Sequence, residues 1–170
     1  MTRVPQKQRR ILAIAPSAWG VGFAVLEGPD TLVDWGVKTV KGDKNTRSVE
    51  KVKELIDHYH PEILALEDLS AGKSRRSARI RDLGERIMGL ATSSGIQVAV
   101  FSLEQVRQAF SSNGQETKQA RAEALAKRFP EELGFRLPPK RRLWESQDRR
   151  MDIFDAVALA LMPGKRRRER

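Results

Sequence analysis

The chain contains no cysteine. That excludes disulfide staples and thiolate metal sites, and it fits a reducing, cytoplasmic interior. Histidine is scarce, with two in 170 residues. His58 and His60 flank Tyr59 with no third nearby, which suits a helix C-terminus or the surface better than a metal centre. Long apolar runs are missing as well. The run after the basic N-terminus is broken by Pro16, Ser17 and Gly20. It is neither a signal peptide nor a membrane span. "GKSRR" lacks the spacing of a phosphate loop, G-x-x-x-x-G-K-[ST], so nucleotide hydrolysis through such a loop is excluded. No internal repeat is present. What remains is one soluble domain with room for a real core.

Positive charge is abundant. Thirty-two lysines and arginines oppose twenty-two acids, giving a net charge of +10. The excess is clustered. Arg3, Lys7 and Arg9 lie in a basic arm over residues 1–9, and Arg10 follows at the start of the domain. "GKSRRSARIR" carries Lys73, Arg75, Arg76, Arg79 and Arg81. "PPKRRLWESQDRR" carries Lys140, Arg141 and Arg142, and "GKRRRER" forms a basic tail over 164–170. One such cluster is an ordinary solvated surface. Four around a single domain, 10–163, point to a phosphate polymer held largely through counterion release.

Periodicity predicts the elements. "ILAIA", Val21 to Leu26 and "TLVDWGVKTV" read as an antiparallel meander. Val49, Val52, Leu55, Ile56 and Tyr59 share a helical face that Pro61 ends. "PEILALEDL" reads as a strand covered on both faces. A helix over 76–93 follows, with Ile80, Leu83, Ile87 and Leu90 as its stripe and Met88 and Ala91 beside it. "IQVAVFS" is a fifth strand. Helices are expected from Leu103 to Phe110 and from Thr117 to Phe129, then a Pro-rich connector over 130–150. A last helix, Met151 to Leu161, is apolar nearly all round and so buried. The sum is an α/β fold with a five-stranded mixed sheet and helices on both faces.

Three carboxylates stand out. Glu67 ends the fourth strand, where open α/β sheets border their ligand crevice. Asp152 and Asp155 are three apart and share a helical face. Asp152 has an ordinary use at a helix N-terminus. Asp155 heads the apolar run "AVALAL" and needs a cation or hydrogen-bond donors beside it. Converging carboxylates are what two-metal hydrolysis requires, and hard ions such as Mg²⁺ or Mn²⁺ prefer oxygen ligands.

Together these pieces resemble the RuvC-type Holliday junction resolvases of the ribonuclease H-like superfamily. "ILAIAPSAWGVGFAVLE" is similar to that family's first hairpin, I-L-G-I-D-P-G-S and then G-[FY]. "PEILALEDL" resembles its fourth strand, "SLEQVRQAFSSNGQETKQA" its strand, helix, glycine loop and lysine, and "DIFDAVALAL" its final helix. The resemblance spans about Arg10 to Leu161. It implies a ribonuclease H-like fold, catalytic and metal-ligating roles for Glu67, Asp152 and Asp155, and a place for Lys118 near the DNA backbone. It also implies a homodimer paired through the 76–93 helix.

Ala15 stands where the family has its first aspartate, which by resemblance ligates both metals. A methyl group has no lone pair, so metal binding and nuclease activity are expected to be impaired or absent. Ser17 and Ala18 depart from the Gly-Ser pattern too, which points to natural divergence rather than one deliberate substitution. Ser70 stands near where resolvases often carry an aromatic that probes the junction. No other acid is an obvious substitute. Asp30 and Asp34 fall at the opposite sheet end, Asp43 follows a strand two places away, about 10 Å at ~4.8 Å per strand, and Asp68 alternates to the other face.

The expected function is binding of branched or structured DNA. Two alternatives stay open: an active Mg²⁺-dependent structure-specific endonuclease, and a scaffold that binds RNA or an acidic protein. Trp19, Trp144 and Phe135 are candidate stacking residues, Trp144 above all, whereas Trp35 is expected in packing.

Overall fold

The computed structural model describes residues 9–70, 76–111, 117–140 and 147–168, with side chains in the last segment described to 165. Five strands form one sheet in the order β3-β2-β1-β4-β5: β1 (Arg10–Pro16), β2 (Gly20–Glu27), β3 (Thr31–Thr39), β4 (Ile63–Glu67) and β5 (Gln97–Phe101). The first three are antiparallel, whereas β4 and β5 run parallel to β1. This is the expected mixed sheet.

Alternation divides the core in two. Leu12, Ile14, Val21, Phe23 and Val25 face one side and pack with α1 (Lys44–Tyr59) and α2 (Ala78–Ser93). Ile11, Ala13, Ala15, Ala24 and Ala65 face the other. That second face is built from small residues, which lets a helix lie close against it. The helix is α6 (Met151–Arg168), flanked by α3 (Leu103–Phe110) and α4 (Lys118–Arg128). Contact is closest at Gly22 on β2, where an added Cβ would fall 2.4 Å from the Asp152 carbonyl oxygen. Neither backbone can yield cheaply, so Gly22→Ala is expected to cost about 1–3 kcal/mol by overpacking. Urea unfolding would report the loss as a lower midpoint at unchanged slope.

Caps fix the helix ends. Asp43 accepts from the Thr46 amide at the start of α1, and His60 closes it with a left-handed φ of 47° just before Pro61. Ser77 caps α2, so Arg76 precedes that helix instead of opening it, a correction to the 76–93 boundary. Ser102 and Gln105 form a reciprocal capping box on α3, which satisfies two otherwise orphaned amides.

Two further expectations are corrected. The connector over 130–150 is not wholly irregular. It begins with a short helix, α5 (Pro130–Leu133), and a 3₁₀ turn (Gly134–Arg136), anchored by the fully buried Leu133. Proline at the first helical position and two acids in the first turn, Glu131 and Glu132, favour that start. The last helix also runs past Leu161, through Pro163, to Arg168. The apolar face continues to Met162, and Lys165 donates to the Ala109 carbonyl at 3.4 Å while lying over the Phe110 ring. That docking outweighs proline's missing N–H.

Candidate functional site

The strand register decides which side chains can meet. Ala13 pairs with Ala65 across the parallel β1–β4 ladder, so the odd-numbered residues of both strands face α6. Ala15 and Glu67 therefore emerge on one face at the carboxyl end of adjacent strands. The α6 helix crosses the same face and delivers Asp155. Glu67, Asp155 and Ala15 line a single cleft of about 380 Å³, together with Arg76, Arg107, Lys118, Arg121 and an apolar wall of Leu103, Val106 and Leu159.

Each lining carboxylate meets a cation. Arg76 Nε lies 3.3 Å from Glu67 Oε2. Lys118 Nζ lies 2.9 Å from Asp155 Oδ2 and donates to Gln147 Oε1 at 3.0 Å. Arg121, only 6% exposed, brings Nη2 to 3.8 Å from Asp155 Oδ1. The partner expected for Asp155 is thus supplied by α4, whose N-terminal turn is set by the Thr117 cap.

Asp152 is different. It is buried, does not line the cleft, and its Oδ2 has no hydrogen-bond partner. Burial pushes its carboxyl up to about 6, and the Asp155 charge adds to the rise, while the Ser17 hydroxyl, Lys118 and Arg76 oppose it. Ser17 is itself buried in the β1–β2 turn.

The remaining sequence candidates fall into place individually. Arg79 is engaged within the fold, donating to the Ser17 carbonyl at 3.2 Å and to Asn45 Oδ1 at 3.1 Å. It ties α2 to the β1–β2 turn. Lys140 is exposed. Lys73, Arg75, Arg141, Arg142 and Trp144 lie outside the described residues. Trp35 packs on the core, as expected. Trp19 stacks under the Arg149 guanidinium at 4.7 Å, and Phe135 is exposed beneath Arg136. Arg107 and Arg121 were not singled out from the sequence. A signal existed for Arg121, since it shares the apolar face of Ala122 and Leu125, where a cation needs an acid.

Four described acids, Asp30, Asp34, Asp43 and Asp68, are engaged elsewhere and do not line the cleft with Ala15. Asp30 pairs with Arg128 at 3.1 Å, and Asp34 accepts from the Tyr59 hydroxyl. Burial, with Asp34 adding, pushes that phenol up to about 12. Asp43 caps α1, and Asp68 Oδ1 accepts from the Ser70 amide.

These donors do not fit a preassembled divalent pair. Ala15 offers no ligand atom, Glu67 and Asp155 already face protein cations, and Asp152 does not line the cleft. Among the described residues, no three acidic or histidine side chains converge as a metal-holding group.

No model of a known protein family matches the chain. Individual proteins do. The crossover junction endodeoxyribonuclease RuvC of Roseiflexus sp. (strain RS-1) is 29% identical over 161 residues, covering 89% of this chain and 88% of the relative. The Thermus thermophilus RuvC structure superposes with a TM-score of 0.67 at 21% identity, over 94% of this chain and 96% of that one. The chain is similar to RuvC proteins and has the ribonuclease H-like fold. T. thermophilus RuvC in complex with a Holliday junction substrate matches this chain with a TM-score of 0.63 at 19% identity, covering 95% and 96% of the two chains. The sheet order and the helices on both faces are those of the ribonuclease H-like fold. No helix among the described residues is long and apolar enough to cross a membrane.

Proposed function

We propose that this RuvC-like chain binds branched or structured DNA over its carboxyl-end cleft, with metal-dependent strand cleavage impaired or absent. The observation that carries this reading is the composition of the cleft: Glu67 and Asp155 beside the methyl group of Ala15, with Arg76, Arg107, Lys118 and Arg121 around them among the described residues. The relatives are named crossover junction endodeoxyribonuclease RuvC, and a structural neighbour, T. thermophilus RuvC, is seen with a Holliday junction substrate. Arg76, Lys118 and Lys140 are the described cations assigned to phosphates, and Glu67, Asp152 and Asp155 are the remnant of the acidic site. The reading includes a homodimer paired through α2. There Ala91 is committed to the core, which leaves the half-buried Met88 and Leu90 as apolar surface for a partner.

The test is fluorescence anisotropy with a four-way junction, duplex, single strand and RNA at two salt concentrations, alongside a cleavage assay with Mg²⁺ or Mn²⁺. The expected result is a junction preference over duplex of about tenfold, ~1.4 kcal/mol, without cleavage. Equal affinity for every form, with a steep salt slope, would reduce the reading to generic phosphate binding. Robust cutting would overturn the claim of impaired chemistry.

A further inference from the structure

Trp19 sits in the turn between β1 and β2, three residues past Pro16, which lines the cleft. It is partly exposed and, among the described residues, packs into neither core cluster, whereas Trp35 does. A buried indole N–H usually finds an acceptor. The Trp19 Nε1–H donates to none of the described residues. A large ring that the core does not use, with an idle donor, suits a ligand.

The turn is a rigid mount for that ring. The Ser17 amide donates to the Gly20 carbonyl at 2.9 Å, and the Val40 amide to the Trp19 carbonyl at 2.9 Å. Lys44 Nζ donates to the Ala18 carbonyl at 2.7 Å, and Arg79 Nη2 to that of Ser17 at 3.2 Å. Three successive carbonyls are thereby tied to the end of β3, to α1 and to α2. A side chain mounted this way loses little freedom when a ligand orders it. Arg149 supplies the second half. Its guanidinium lies 4.7 Å over the Trp19 ring, and the Asp152 amide, donating to its carbonyl at 3.1 Å, fixes its backbone just before α6. The neighbouring Arg150 is engaged by Asp148, at 3.0 and 2.8 Å. Arg149 is exposed and meets no carboxylate among the described residues. A guanidinium over a ring keeps its N–H donors at the edge, where a phosphate can accept them.

We infer that Trp19 and Arg149 form a nucleotide platform: an unpaired base of branched or single-stranded DNA stacks on the pair, and a flanking phosphate binds the Arg149 edge. The base must be unpaired because neighbours in a duplex already cover its faces. This rests on the DNA-binding reading above and adds a contact outside its central cleft. The rival use of the pair is a fastener between the turn and α6, with no ligand.

Anisotropy with the full chain compares an oligothymidylate with an abasic strand of the same length, for wild type and Trp19→Leu. Both strands carry the same phosphates, so only the bases differ. Trp19→Leu is expected to weaken binding of the normal strand about tenfold, as loss of one base–aromatic stack does. The salt slope and the affinity for the abasic strand should not change. Arg149→Gln should weaken both strands and lower the salt slope by about one. An equal cost of Trp19→Leu on both strands, or none on either, assigns the pair to fastening and overturns the proposal. A salt slope that Arg149→Gln leaves unaltered overturns it too. If Trp19→Leu fails to fold, the Trp19 Nε1–H signal of wild type, assigned with Trp19→Phe, decides. It shifts with the normal strand and not with the abasic one, or the proposal fails. Failure of the DNA reading looks different: junction and duplex then bind equally, while the comparison of the two strands still holds. A chain that binds no nucleic acid at all overturns both.

Discussion

Ala15→Asp is expected to give a chain that nicks four-way junctions in Mn²⁺ about a hundredfold or more faster than wild type. A missing metal ligand can cost several kcal/mol of transition-state stabilisation, and each ~1.4 kcal/mol is tenfold in rate. Ala15 is 6% exposed, points to the α6 face and lines the cleft with Glu67 and Asp155. A carboxylate there becomes the third oxygen donor group on one wall. It competes with Glu67 and Asp155 for Arg76 and Lys118. Without metal the substitution should destabilise the fold, because another anion is placed near the buried Asp152. Added Mn²⁺ should therefore raise the melting temperature of the variant and leave wild type unchanged, as ligand linkage requires. Cleavage at equal rates by both chains would sink the prediction. Failure of the variant in both readouts would show that loss of function extends beyond one position.

The positions of Glu67 and Asp155 were legible because topology follows from local signals. A meander, a helix and a strand covered on both faces leave few ways to connect. Ala13, Ala15 and Ala65 alternate strictly, so Glu67 had to join their face once the β1–β4 register formed. Asp155 could be read as needing a cation, but α4 had to be folded against α6 before Lys118 and Arg121 could be named. Arg79 shows the opposite case. It lies in a basic run that looks like a phosphate patch, yet its guanidinium reaches Ser17 and Asn45, which are 62 and 34 residues away. Composition cannot separate a structural arginine from one that greets a ligand.

The helix boundaries failed for comparably local reasons. Pro163 is a valid stop signal taken alone, and it is overridden because Met162 and Lys165 still have surfaces to pack on. Leu133 was hidden in a segment that looked like linker because one buried leucine makes no period. In the sequence Ser17 reads as a break in an apolar run and a departure from Gly-Ser. Its hydroxyl now has a use beside Asp152, which only the turn geometry between β1 and β2 reveals.

Asp152→Asn is expected to stabilise the fold at neutral and alkaline pH by about 2–3 kcal/mol. The Asp152 carboxyl is 3% exposed and lacks a partner at Oδ2. Burial raises it from 3.8 to about 6. The folded state therefore holds this proton more tightly than the unfolded chain. The stability linked to it is fully present below about pH 4, falls as pH rises, and is gone above about pH 6, where the buried charge has formed. A shift of about two units corresponds to roughly 3 kcal/mol at most, since each unit is 1.36 kcal/mol. Asparagine keeps the shape and an acceptor for Ser17 while carrying no charge, so it removes the penalty. Urea unfolding at a series of pH values measures this directly. Wild type should lose stability between pH 4 and 6 relative to the variant, and the two curves should meet at low pH. A variant that is less stable than wild type at pH 8 would mean that the ionised carboxylate has partners which offset its burial. The gain also bears on activity. Asp152→Asn in the Ala15→Asp background should remove the restored nicking while still raising stability. Loss of both together would instead assign Asp152 a purely structural role at the start of α6.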